Sequence, residues 1–181
     1  MEKSISQQDK RIRWVVMGVS GCGKSTVGQA LAHAQGVAFV EGDQFHSASS
    51  VAKMSEGVAL TDEDRSDWLR TLQAQLRDAA ERGAGLVLSC SALKRRYRDL
   101  LRDGDPGLRF AHLQGPRDLI AARMQARVGH YMPPSLLDSQ LRDLEPLQAD
   151  EAGVALDIGS APDLLVARIL ASEQEDPPAH S

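Results

Sequence analysis

A disulfide scaffold is the first possibility to fall away. The 181 residues hold two cysteines, Cys22 and Cys90, too few for a framework, and such sparing use points to a reducing compartment. Neither cysteine joins a Cys/His cluster with structural-zinc spacing. No apolar run approaches the length of a membrane span, and the polar residues 1–13 lack the apolar centre of a secretory signal. Positive charge is not in excess: the net charge of −4 argues against a dedicated nucleic-acid binder. There is no internal repeat. What remains, with 42% hydrophobic and 25% charged residues, is the balance of a cytoplasmic globular protein. The length suits one α/β domain and not two.

Short apolar runs alternate with helical patterns, which predicts a parallel sheet wrapped by helices. Strands are expected at 12–18, 37–41, 84–90, 108–113 and 153–158. A first helix is expected over 24–35, stopped by Gly36. The longest helix opens on a capping-box-like Thr61 and Asp64, repeats Trp68, Leu72, Leu76 and Ala80 at four-residue spacing, and stops at Gly83. Further helices are expected over 94–103, 116–128, 134–143 and 162–173. Gly-His-Tyr-Met-Pro-Pro at 129–134 cannot continue a helix and reads as an exposed, mobile connection. Residues 1–11 read as a disordered leader and 174–181 as a disordered tail, leaving 12–173 as the single domain.

The first strand runs straight into Gly18, Val19, Ser20, Gly21, Cys22, Gly23, Lys24, Ser25 and Thr26, which fits G-x-x-x-x-G-K-[ST] in full. The order of parts has a physical reason. Glycines let successive N–H groups curl around an anion, and the helix that follows aims its N-terminal dipole at the same point. Lys24 can reach the β- and γ-phosphates, and the Ser25 hydroxyl can ligate Mg²⁺. The loop therefore implies a bound nucleoside triphosphate.

In open parallel sheets, ligands sit beyond the carboxyl ends of the strands. The second strand ends in Glu41 and Asp43, with His46 just after. This pair can hold a metal-bound water and meet an acceptor hydroxyl, or it is a solvated strand end. The third strand leads to Lys94, Arg95, Arg96 and Arg98, which suit a small anion or form a solvated basic helix. Arg123 and Arg127 lie four apart on the helix entering the 129–134 connection. They can fold over the triphosphate, or remain surface residues. Arg65 is unusual because a cation is unfavourable in a first helical turn. His33 and His112 read as packing or surface residues.

Asp-Glu-Ala-Gly at 150–153 formally fits the D-x-x-G of GTPases, but it precedes the last strand, and no Asn-Lys-x-Asp guanine reader occurs. No apolar strand ends in a Walker B aspartate. These absences favour a small-molecule kinase over a switch or motor. Several segments then carry a resemblance: Met-Gly-Val-Ser-Gly-Cys-Gly-Lys-Ser-Thr, Glu-Gly-Asp-Gln-Phe-His, Cys-Ser-Ala-Leu-Lys-Arg-Arg-Tyr-Arg, Arg-Val-Gly-His-Tyr-Met and Leu-Leu-Asp-Ser-Gln. In order, over about 15–157, they resemble the gluconokinases of the shikimate-kinase-like P-loop group. Small departures are Cys22, where many relatives have serine, and Glu41, where aspartate is common. The resemblance implies a three-layer α/β/α P-loop fold with a five-stranded parallel sheet and a helical lid at about 123–142. It also implies ATP and Mg²⁺ as cofactors, D-gluconate as the substrate, no nucleic-acid or membrane partner, and a cytoplasmic homodimer. By position, Lys24, Asp43, Arg123 and Arg127 would be catalytic, and Glu41 would act on the metal through water beside Ser25. Asp43, His46, Lys53, Arg65, Lys94, Arg98 and His130 would line the gluconate site. Kinases of shikimate or a nucleoside monophosphate, and a nucleotide-dependent binding module, stay open as alternatives.

Overall fold

In the computed structural model, residues 12–127 and 133–175 are described. Five strands, β1 (Arg13–Met17), β2 (Ala38–Glu41), β3 (Leu86–Ser89), β4 (Arg109–Gln114) and β5 (Gly153–Asp157), form one sheet. Its order is β2-β3-β1-β4-β5 and every pairing is parallel. The helices are α1 (Lys24–Gln35), α2 (Ala48–Ser55), α3 (Asp62–Glu81), α4 (Arg95–Gly104), α5 (Arg117–Ala126), α6 (Pro134–Asp143) and α7 (Pro162–Glu175).

Alternation along β1 explains the layering. Trp14 and Val16 face α1, α5, α6 and α7, whereas Val15 and Met17 face α3 and α4. All four are fully buried, so the strand reads as one continuous apolar run, as a central parallel strand must. The expected three-layer architecture is present.

Local signals set most boundaries. α3 begins with a reciprocal cap: the Asp64 N–H donates to Thr61 Oγ1 at 3.1 Å, and the Thr61 N–H donates to Asp64 Oδ2 at 2.9 Å. α6 starts on Pro134, whose missing N–H costs nothing at a first helical position. The limits of the expected strands and helices fall within about two residues of expectation, while one helix was not expected. α2 has no apolar period in its sequence; Ser47 starts it by accepting from the Ser50 N–H at 3.1 Å. α5 ends at Ala126, so Arg127 is extended (φ −76, ψ 114) and shares no helical face with Arg123. α7 continues through Glu175. The expected leader (1–11), residues 129–132 of the connection and residues 176–181 lie outside the described residues.

One buried group on β4 has a measurable consequence. His112 is 1% exposed, and neither ring nitrogen has a hydrogen-bond partner among the described residues. Burial, aided by Arg98, pushes its pKa down from 6.5 to about 4. The unfolded chain therefore takes up a proton near pH 6.5 that the native state refuses. The protonation-linked cost of His112 is absent above that pH and grows as pH falls toward 4. We expect His112→Leu to be at least as stable as the parent at pH 7.5 and to lose less stability at pH 4.5. The gap should approach about 2 kcal/mol, read from urea midpoints at the two pH values.

Candidate active site

The loop between β1 and α1 is a backbone cradle. Gly21 and Gly23 hold left-handed conformations (φ +83 and +89), and a Cβ on Gly21 would lie 2.4 Å from Met124 Cγ. The Lys24 ammonium folds back to Val19 O at 3.0 Å, and the Ser20 N–H donates to Gln140 Oε1 on α6 at 2.8 Å. Cys22 points inward: its thiol is 1% exposed and donates to Val19 O at 2.9 Å. Burial pushes its pKa up, so the side chain anchors the loop and stays protonated.

Opposite the loop, Ser25 Oγ and Ser89 Oγ each donate to one oxygen of the Glu41 carboxylate. The chain then tightens at Gly42–Phe45 into a single 3-10 turn. Trp68 Nε1 fixes that turn by donating to Gly42 O at 2.8 Å. A Cβ on Gly42 would meet Ser89 O at 2.1 Å, so only glycine lets β2 pass this close to β3. Ser20, Gly21, Gly23, Lys24, Ser25, Thr26, Glu41, Asp43, Gln44, Met124 and Arg127 enclose a cavity of about 450 Å³. Its donor set suits Mg²⁺: a hydroxyl and a carboxylate, both hard oxygens, next to a phosphate cradle. Among the described residues no group of three His, Cys, Asp or Glu side chains could cage an ion alone. An ion here must share its ligands with phosphate and water.

Asp43 opens from this cavity toward α3, its side chain 67% exposed. His46 Nε2 lies 3.8 Å from Asp43 Oδ1, and the imidazole stacks on Trp68 at 4.1 Å and 20°. Burial lowers the His46 pKa; Asp43 opposes the shift and Arg65 reinforces it. The ring is thus neutral at neutral pH. Arg65, in the first turn of α3, is 6% exposed, and its Nε is buried without a hydrogen-bond partner. Its guanidinium lies over the Tyr97 ring at 5.5 Å, with no carboxylate paired to it among the described residues. A buried cation without an anion is costly, and this one lies within electrostatic reach of His46.

The other expected anion-binding cations are already occupied. Lys53 Nζ grips both Asp64 oxygens at 2.8 and 2.9 Å, which with the Thr61 cap holds the Asp64 pKa down to about 2. Lys94 lies 3.4 Å from Asp62, which also bonds Arg96 and Tyr97. Arg95 forks onto Asp150 at 2.7 and 3.0 Å. Arg98 requires a correction. It is fully buried, pairs with Glu151 at 2.7 and 3.0 Å, and spends its remaining donors on the carbonyls of Ala92, Leu93 and Pro146. It holds the 144–151 segment against α4 and presents nothing to a substrate. The basic run that resembled an anion site is a set of internal ion pairs.

The two arginines near the connection diverge. Arg127 lines the cavity, whereas Arg123 Nη2 donates to Ile158 O at 2.7 Å, on the loop after β5. His130 lies outside the described residues. Three contributors were given no role from the sequence: Ser89, Trp68 and Gln140. Gln140 left one trace, a polar residue in the buried apolar stripe of Leu136 and Leu137.

A phosphate cradle after β1, a carboxylate pair at the end of β2 and this strand order define a P-loop kinase. A family model described as an AAA domain matches residues 14–147. The gluconokinase of Gluconobacter oxydans is 45% identical over 156 residues, 86% of this chain and 88% of that one. A sugar kinase from Janibacter superposes with a TM-score of 0.86 at 46% identity, covering 94% of this chain and 98% of that one. A gluconokinase from Sinorhizobium meliloti superposes at 0.83 with 44% identity, covering 91% and 93%. The chain belongs to the gluconokinase family.

The Arg98–Glu151 pair yields a prediction that separates structure from binding. Glu151→Gln leaves a guanidinium buried without its counter-charge, so stability should fall by about 3 kcal/mol. The KM for the acceptor, measured well below the melting temperature, should stay within about twofold. A large rise in that KM with unchanged stability would return Arg98 to the substrate site.

Proposed function

We propose that this chain transfers the γ-phosphoryl group of ATP to the 6-hydroxyl of D-gluconate, giving 6-phospho-D-gluconate and ADP. Family membership supports the reaction, and the observation that carries the site is the buried Arg65, without a carboxylate partner among the described residues and within electrostatic reach of His46, which Asp43 also faces. A small polyol acid offers one carboxylate and several hydroxyls. Arg65 supplies the counter-charge for the first, and Asp43 with neutral His46 meets the second.

The donor half follows from the cradle. Backbone N–H groups of residues 21–25 and the Lys24 ammonium hold the phosphates in line with the acceptor. Ser25 and, through water, Glu41 would hold Mg²⁺, which when bound neutralises charge building on the phosphates. Arg127 lies on the cavity wall, where it can meet the transferring group; Arg123 supports the loop after β5. In the transfer, the acceptor oxygen forms a bond to the γ-phosphorus as the bond to the β–γ bridging oxygen breaks. Asp43 accepts the hydroxyl's hydrogen bond and orients its lone pair, and its exposed carboxylate can pass the proton to solvent. Lys53 and Lys94 join the site only by exchanging Asp64 and Asp62 for substrate. The cytoplasmic homodimer remains part of this reading and rests on the family alone.

Asp43→Asn should lower kcat by at least about 100-fold while the Kd for ATP moves less than about twofold. Full kcat in that variant would remove Asp43 from the acceptor site. Across gluconate, shikimate and nucleoside monophosphates, ADP formation should rise only with gluconate. Faster turnover of another acceptor would replace the substrate, and acceptor-independent ATP consumption would favour a nucleotide-driven binding module.

A further inference from the structure

P-loop enzymes commonly end an apolar strand beside the loop with a metal-directed carboxylate. Here β3 lies next to β1, and it ends in a hydroxyl, Ser89. The carboxylate comes instead from Glu41, which is in register with Ser89 on the next strand outward. Paired residues of parallel strands point to the same face. Glu41, Ser89 and Val16 therefore all face α1, the helix that carries Ser25.

Glu41 stands two strands from β1, so its carboxylate must reach across the end of β3, a strand spacing of about 4.8 Å. A free glutamate side chain samples many rotamers. This one is held at both oxygens: Ser25 Oγ donates to Oε2 and Ser89 Oγ donates to Oε1. Ser89 is 1% exposed, so water does not compete for its hydroxyl. The same oxygen also accepts from the Gly42 N–H at 3.4 Å, tying it to the turn that carries Asp43.

We propose that Ser89 is a positioning residue for the cation site, orienting the Glu41 carboxylate toward Ser25 so that a serine on β3 and a glutamate on β2 together replace a carboxylate on β3. Ser89 is buried behind the cavity rather than on its wall, so it acts through Glu41. The proposal rests on the reading that Mg²⁺ accompanies the nucleotide, and not on the identity of the acceptor.

The test is a double-mutant cycle on ADP binding, followed by calorimetry with and without Mg²⁺, using the full chain as parent, Ser89→Ala, Glu41→Gln and the double variant. Ser89→Ala should weaken the Mg²⁺-dependent gain in ADP affinity by about 3–10-fold and leave the Mg²⁺-free Kd unchanged. Ser89→Thr, which keeps the hydroxyl, should restore most of that gain. In the Glu41→Gln background, Ser89→Ala should have no further effect. If its full effect persists there, or if ADP binding without Mg²⁺ weakens equally, Ser89 does not act through Glu41 and the proposal is wrong. Melting temperatures check that each variant is folded; if Ser89→Ala is not, Ser89→Thr matching Glu41→Gln in its lost Mg²⁺ response overturns the proposal. A parent that binds ADP identically with and without Mg²⁺ would remove the metal reading itself and leave the kinase assignment standing.

Discussion

Three strand ends lie level in this molecule, and the site depends on that alignment. The parallel register sets Val16, Ser89 and Glu41 side by side across β1, β3 and β2. Just past those ends come the phosphate loop, the strained Ala92 (φ +44) and the turn holding Asp43. A shift of one residue in β2 would turn Glu41 to the other face and separate it from Ser25. Gly42 protects this register because any larger residue would collide with Ser89 O. On the proposed reading, donor and acceptor chemistry meet because of backbone pairing, before any side chain selects a ligand.

Allocation of positive charge is the second organising feature. The chain carries 21 lysines and arginines, and those around the acceptor side are mostly committed. Lys53, Lys94, Arg95, Arg96, Arg98 and Arg102 each pair with a carboxylate. Several of these pairs tie the start of α3 and the 144–151 segment to α4. Among the described residues, Arg65 is buried near them without such a pair. That its neighbouring cations are neutralised so thoroughly is the physical basis for proposing that Arg65 meets the acceptor carboxylate.

What could be read from the chain beforehand divides by range. The phosphate loop, the caps of α3 and the alternation of strand and helix are written in adjacent residues, and all are present. Glu41 and Asp43 were legible because they follow an apolar run by a fixed number of residues. Arg98 was misread because its partner, Glu151, lies 53 positions away, and an isolated basic run looks the same solvated or internally paired. The roles of Ser89 and Gln140 went unread for the same reason, since they exist only once Glu41 and the loop are brought to them. α2 was missed because it is eight residues long and starts from a serine cap, without an apolar stripe.

The central claim is that Arg65 is reserved for the carboxylate of the acceptor. The most direct measurement compares gluconate with the neutral polyol D-glucitol, which lacks that carboxylate, in the parent and in Arg65→Met. The parent should prefer gluconate strongly in kcat/KM. Arg65→Met should cut that preference by about 30-fold or more, almost wholly through gluconate, as expected for losing a buried charge-assisted contact of about 2 kcal/mol. An unchanged preference, with both acceptors slowed alike, would show that Arg65 meets no carboxylate and would contradict the account.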